Sequence, residues 1–197
     1  MMKISAFDKI DYLETGNERQ KHAHSTLIKH EVFTLLAAYD PVLVGTVPLG
    51  IDTEDSDLDI ICCCADLLQF ESFLKQTFLQ KPLLDVKFRE VPRAVVAGFK
   101  LDNWQVEVWC QDLPSKQQLG YRHMIVEHEL LERFGDDFRQ EVKSLKEQGY
   151  KTEPAFARVM GLSGDPYEEL LHLKPEQLRR LDKQYSVSGK GCDCPRR

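Results

Sequence analysis

The chain has 197 residues, a formal net charge of −6 and a hydrophobic share of 42%, enough for one packed domain with a helical appendage. Its acidic balance excludes the broad basic face of a general nucleic-acid or anionic-membrane binder. No apolar run reaches the roughly 18 residues of a membrane span, and the start MMKISAFDKID has no signal-peptide apolar region. A cytoplasmic protein with no membrane partner is therefore expected. Three of the six cysteines are consecutive, Cys62-Cys63-Cys64, at the end of a predicted buried strand. Buried free thiols in a reducing compartment are the expectation there.

Residues 1–16 show little pattern beyond a possible short helix. Between residues 19 and 38, Ile28, Val32, Leu35 and Leu36 fall at helical spacing. His22 and His24 are two apart and so lie on different faces of that helix, which argues against a metal pair. Pro41 stops the helix and imposes an extended conformation on the chain before it. An apolar strand, Val42-Leu43-Val44, follows and breaks at Gly45-Thr46. After a turn-rich decapeptide, a second strand runs through Ser56-Asp57-Leu58-Asp59-Ile60-Ile61. Alternation sends Leu58 and Ile60 into the core and puts Asp57 and Asp59 on the other face.

Asp66 with Gln69 reads as a capped helix start, and Leu67, Phe70, Leu74 and Phe78 form a core stripe toward residue 80. Three extended segments follow, at residues 83–91, 94–101 and 105–110, with a hairpin turn at Asp102-Asn103. In the last of these, Val106 and Val108 face one way, and Gln105, Glu107 and Trp109 the other. Ser115 through Gln118 reads as a capping box opening a helix to Phe134, stopped by Gly135. Asp137 with Gln140 starts another helix, ending near Gly149. Pro154 suits the first turn of a short helix that Gly161 ends. Asp165-Pro166-Tyr167-Glu168 combines an N-cap, an N1 proline and a capping-box acid. A last helix spans residues 175–185, and the small, polar end SVSGKGCDCPRR reads as a disordered tail.

Strands bunched early and helices bunched late predict an α+β protein with a small mixed sheet, flanking helices and a helical C-terminal half. The expected divisions are an α/β core over residues 1–112, a helical region over 113–185 and the tail over 186–197.

The chemistry concentrates in VLVGTVPLGIDTEDSDLDII, residues 42–61. Two same-face carboxylates about 7 Å apart on a strand are costly without a cation between them. They are hard oxygen donors suited to Mg²⁺, which binds one or two carboxylates together with substrate phosphates. Gly45 lets the backbone approach a ligand, and the Thr46 hydroxyl and nearby amides can face phosphate oxygens. Glu107 is a candidate third carboxylate, with Asp85 its rival. Three carboxylates holding two metals would clamp the attacking and leaving oxygens of an in-line displacement at phosphorus. No Gly-Lys-Ser/Thr loop and no nucleophile-elbow motif offers another chemistry.

The combination of an apolar strand, Gly-Thr, ten residues and Asp57-Leu58-Asp59-Ile60 resembles the signature of the nucleotidyltransferase superfamily typified by DNA polymerase beta. Threonine stands where that signature has serine or glycine, and it keeps a hydroxyl. GTVPLGIDTEDSDLDIIC, with WQVEVWCQD and YRHMIVEHELL, also looks like a small bacterial family of uncharacterised nucleotidyltransferase-like proteins, over residues 10–175. The resemblance implies a minimal nucleotidyltransferase fold in which Asp57 and Asp59 bind Mg²⁺. Glu107 matches the third carboxylate, which holds one metal and assists deprotonation of the acceptor hydroxyl. Gly45 and Thr46 match the phosphate-contacting turn. Ser56 either contacts substrate or caps the start of the second strand. Lys100, Arg122 and His123 are the candidates for further positive charge toward a triphosphate.

The expected activity is Mg²⁺-dependent transfer of a nucleoside monophosphate from a nucleoside triphosphate, ATP among them, to an unidentified acceptor hydroxyl. The alternative is a catalytically silent module that keeps the fold to hold a nucleotide or a partner. The acidic charge argues against a nucleic-acid partner, and the oligomeric state is open.

Overall fold

The computed structural model describes residues 4–188. The tail motifs Gly189-Lys190-Gly191 and Cys192-Asp193-Cys194, and the disorder expected there, lie outside the described residues. The chain divides into two compact units, one through Met124 and one from Ile125. Among the described residues, no helix is long and apolar enough to cross a membrane.

The first unit is built on five strands: Val42–Val44 (β1), Leu58–Cys63 (β2), Asp85–Glu90 (β3), Arg93–Leu101 (β4) and Trp104–Gln111 (β5). Their order across the sheet is β1-β2-β5-β4-β3. β2 and β5 run parallel, and every other neighbouring pair is antiparallel. The mixture follows from the connections. A tight turn joins β4 to β5, whereas β2 reaches its parallel neighbour only after a helix and a hairpin.

Alternation along each strand gives the sheet an inner and an outer face. The inner face carries Leu58 and Ile60 of β2, Val106 and Val108 of β5, and Val95, Ala97 and Phe99 of β4, all at most 2% exposed. Against it pack the helices Glu18–Lys29 (α1), Val32–Leu35 (α2) and Leu67–Thr77 (α4) through Leu27, Val32, Leu36, Phe70 and Leu74. The expected stripe Leu67, Phe70, Leu74, Phe78 is buried throughout, and the Asp66 carboxylate accepts the Gln69 N–H at 3.0 Å. Cys62 and Cys110 are buried free thiols of this core, while Cys63 and Cys64 are only half-buried. The Trp104 indole N–H donates to His22 Nδ1 at 2.9 Å, so that histidine is a packing partner of the hairpin.

Three local expectations are corrected. The single helix over residues 19–38 is two helices, because Glu31 adopts a left-handed φ of 53°. The break re-aims the second segment, so Leu27, Val32 and Leu36 face the core while Ile28 is 56% and Leu35 38% exposed. The first helix also has a true capping box, with Asn17 and Gln20 exchanging bonds at 2.9 and 3.0 Å. The decapeptide after Gly45 opens with one helical turn, Thr46–Leu49 (α3). Lastly, Ser115 through Gln118 is not a capping box. The Ser115 hydroxyl donates to the Asp40 carbonyl at 2.6 Å, and the Gln118 amide donates to the Cys62 and Leu113 carbonyls at 2.7 and 2.9 Å. These residues bind the sheet before the helix Leu119–Glu147 (α5) begins.

In α5, Gly135 has φ +76°, a conformation open to glycine at low cost, and it breaks the helix where the sequence marked a stop. The second unit continues with Thr152–Met160 (α6), Pro166–Leu171 (α7) and Pro175–Ser188 (α8), the last running past its expected end at residue 185. Asp165 accepts the Tyr167 N–H at 2.9 Å, as an N-cap should. Phe138 packs edge-on against Phe156 and Tyr185 with ring centroids 5.8 and 5.3 Å apart. Arg133 makes a two-pronged pair with Asp182, both contacts at 2.8 Å. Glu127 is 3% exposed, and its Oε1 is without a hydrogen-bond partner among the described residues. Burial first, and then the charge of Glu153, pushes its carboxyl up to about 8, with Lys146 opposing.

Candidate active site on the outer face of the sheet

The outer face carries the polar half of each strand. Register places Val44 of β1 opposite Asp59 of β2, Asp59 beside Glu107 of β5, Glu107 opposite Gly98 of β4, and Gly98 opposite Asp85 of β3. Asp59 and Glu107 are therefore immediate neighbours on parallel strands. Asp85 lies on the same row, but β4 stands between it and Glu107, about 10 Å away at two strand spacings. Asp85 is also held by Lys87. Topology thus favours Glu107 over Asp85 as the carboxylate beside the Asp pair.

Asp57 immediately precedes β2, so its backbone is not fixed by the ladder as that of Asp59 is. Burial pushes the Asp57 carboxyl above its usual range although the side chain reaches solvent. The Glu107 carboxyl is pushed up by burial first and then by the charge of Asp57, with Arg89 pulling it back. The charge of Asp57 acts on Glu107 across the space they share, which therefore favours a positive charge.

Gly45 closes the other side of Asp59. Its φ is +79°, and a Cβ built there would overlap Asp59 Oδ2. The backbone can therefore lie against the carboxylate only because the residue is glycine. Thr46 begins α3 and is 9% exposed, and its hydroxyl donates to Ser56 Oγ at 3.3 Å. Ser56 Oγ in turn accepts the Thr53 N–H at 2.9 Å, which makes Ser56 a brace of the loop leading into β2. The same loop is anchored from α1. Arg19 pairs with the buried Asp52, and the Gln20 side chain donates to the Val47 carbonyl at 2.8 Å. The Arg19 guanidinium lies 4.4 Å from the centre of the Trp104 ring.

The structure thus brings Gly45, Asp57, Asp59 and Glu107 to one end of the sheet, with Thr46 and Ser56 in the bracing loop. It does not bring Lys100 to the Gly45 turn. Lys100 sits on the outer face of β4, opposite Gln105 and three strands from β1, on the far side of Glu107. His123 is 5% exposed and Arg122 is exposed, both at the start of α5. Two contributors escaped the sequence reading. The Arg19–Asp52 pair joins residues too far apart in sequence for any motif to link them. Arg89 shows only as an outward position in the alternation of β3, and its nearness to Glu107 depends on the pairing across β4.

The donor set is entirely hard oxygen, the ligand type that suits Mg²⁺. Among the described residues, no three His, Cys, Asp or Glu side chains are grouped as a ready metal cage. Mg²⁺ needs only one or two protein carboxylates when substrate phosphate and water complete its shell, and Asp57 and Asp59 with Glu107 beside them meet that requirement.

The fold is the nucleotidyltransferase fold, a mixed five-stranded sheet with flanking helices and a helical C-terminal half. Among solved structures, the chain is similar to one described as "structure of GLD-2/RNP-8 complex", with 12% identity and a TM-score of 0.53, over 95% of this chain and 72% of that one. It is also similar to the polymerase core of TRAMP, an RNA surveillance complex, with 16% identity and a TM-score of 0.48 over 96% of this chain and 64% of that one. A third likeness is to a cytoplasmic RNA terminal U-transferase, with 15% identity and a TM-score of 0.45 over 66% of this chain and 38% of that one. At such identities the likeness concerns the fold alone. No curated protein matches the chain. The family model described as "Domain of unknown function (DUF4269)" matches residues 25–173, which take in the whole sheet and most of the helices after it, and the chain belongs to that family.

Proposed function

We propose that the protein is a Mg²⁺-dependent nucleotidyltransferase that moves a nucleoside monophosphate from a nucleoside triphosphate to an acceptor hydroxyl. The observation that carries this reading is the register of Asp59 against Glu107, with Gly45 lying against the Asp59 carboxylate. In this reading Asp57 and Asp59 hold the cation, which would neutralise phosphate charge and stabilise the attacking and leaving oxygens. Gly45 and Thr46 present backbone to the phosphates. Glu107 accepts the proton of the acceptor hydroxyl, and its raised proton affinity suits that role. The acceptor oxygen forms a bond to the α-phosphorus as the bond to the leaving pyrophosphate breaks. Alignment and charge stabilisation supply most of the catalysis.

The test is pyrophosphate release and nucleotide incorporation with each nucleoside triphosphate, with and without Mg²⁺, in the wild type and in Asp57→Asn. Turnover that requires Mg²⁺ and disappears in Asp57→Asn supports the enzyme. Turnover that persists in Asp57→Asn rejects the assignment of the pair. Calorimetric binding without pyrophosphate release would instead identify a silent nucleotide-binding module.

A further inference from the structure

The outer face beyond Glu107 has its own chemistry. Between β5 and β3, the strand β4 presents Val96, Gly98 and Lys100 outward. A Cβ built on Gly98 would meet nothing within 4 Å, so the face is open above it. This makes a shallow trough with Glu107 on one wall and β3 on the other. Over its far end, Arg89 of β3 reaches back across β4 to lie 5.5 Å from the centre of the Trp109 ring on β5. An edge strand ordinarily carries charge to repel other strands, and Lys87, held by Asp85 on the same strand, fits that role. Arg89 does not, because it turns toward the middle of the sheet. Among the described residues, neither Arg89 nor Lys100 makes an ion pair. Arg89 and Lys100 lie toward opposite ends of an open floor whose middle, Gly98, has Glu107 on one side and Asp85 on the other, away from the Gly45 turn.

We infer that this trough, floored by Gly98, walled by Glu107 and Trp109 of β5 and by Asp85 and Arg89 of β3, with Lys100 at one end, is the acceptor subsite, and that the acceptor carries a phosphate group near its reactive hydroxyl. The guanidinium of Arg89, 5.5 Å from the centre of the Trp109 ring, keeps N–H donors for two phosphate oxygens, which is the fork geometry that suits arginine to phosphate. Lys100 adds a point charge from the opposite end. The open floor at Gly98 lets the ligand backbone lie on the sheet, with its hydroxyl directed to Glu107. The role as acceptor site rests on the nucleotidyl-transfer reading. The affinity for a phosphate ester does not.

The experiment is calorimetry on the full chain, without nucleoside triphosphate, using glycerol phosphate, glycerol and a short single-stranded oligouridylate. Glycerol phosphate or oligouridylate should bind and glycerol should not. Arg89→Gln should weaken binding at least about tenfold, while Lys87→Gln leaves it near the wild-type value. Preference for oligouridylate with a steep salt dependence identifies a nucleic-acid end as the source of the phosphate, and comparable affinities identify a small phosphate ester. Lys100→Gln gives the same reading should Arg89→Gln fail to fold, as judged by circular dichroism. Equal binding by the wild type and both variants, or no preference for the phosphate ester over glycerol, overturns the subsite. Arg89-dependent binding in a protein that shows no pyrophosphate release with any triphosphate keeps the phosphate site and rejects the transfer reading alone.

Discussion

Asp59 and Glu107 are register partners on the parallel strands β2 and β5, one strand spacing apart on the same face of the sheet. Nearly 50 residues of sequence separate them, and the helix α4 and the β3–β4 hairpin fill that interval. The hydrophobic alternation of the two strands keeps them on one face, because a slip of one residue would turn Leu58 and Ile60, or Val106 and Val108, out of the core.

The first prediction concerns the identity of the third carboxylate. Glu107→Gln should lower nucleotidyl transfer by at least about 100-fold, the scale of losing a positioned proton acceptor. Asp85→Asn should stay within a few-fold of wild type, since Asp85 lies beyond β4 and is engaged by Lys87. Steady-state pyrophosphate release in the two variants decides between them, and the reverse order would move the site to β3.

The approach of Gly45 to Asp59 gives a second. Gly45→Ala adds a Cβ at φ +79° where Asp59 Oδ2 already sits. It should cost about 1–3 kcal/mol, read as a lower urea midpoint with an unchanged slope. Asp59→Ala empties the overlapping position, so the double variant should lose less than the sum of the single losses. Strict additivity would mean that the two residues do not touch.

A third follows from Glu127 in the second unit. Burial pushes its folded carboxyl up to about 8, while in the unfolded chain it ionises near the ordinary glutamate value of 4.5. Between those values the folded state holds the extra proton, so stability is greatest below the lower value and falls as pH rises toward the upper one. Glu127→Gln removes the titration and should flatten the decline of melting temperature with pH across that window. An unchanged pH profile would show that Glu127 is not protonated in the folded protein.

The fourth concerns the loop that leads into β2. Asp52 is 4% exposed and its partner is Arg19. Asp52→Ala removes the anchor and leaves the guanidinium with only Trp104 to pack on. We expect a stability loss of about 1–3 kcal/mol and a raised KM for the triphosphate through a looser Gly45–Asp57 loop. A change in kcat alone would place Asp52 elsewhere in the mechanism.

Much of this was legible in the chain. Period-two alternation placed Asp59 and Glu107 on outward positions, and the Gly-Thr break after an apolar strand marked the close approach at Gly45. Local chemistry also marked the ends of several helices, at Asp66, Gly135, Gly161 and Asp165, because caps and left-handed glycines act within a few residues. It misjudged residues 19–38, where the apolar spacing suits one continuous helix and only the left-handed Glu31 reveals two. It also misjudged Ser115 and Gln118, whose capping pattern is used to bind the Asp40, Cys62 and Leu113 carbonyls instead.

The sequence by itself determined which residues face out of each strand and where the backbone must bend, since both depend on near neighbours. Tertiary structure decided the rest. The order β1-β2-β5-β4-β3 put Glu107 beside Asp59 and Asp85 beyond β4, kept Lys100 away from the Gly45 turn, and set Arg89 over Trp109. Strand order is a property of the buried face, fixed by how apolar side chains from distant segments pack, and no local pattern on the polar face encodes it.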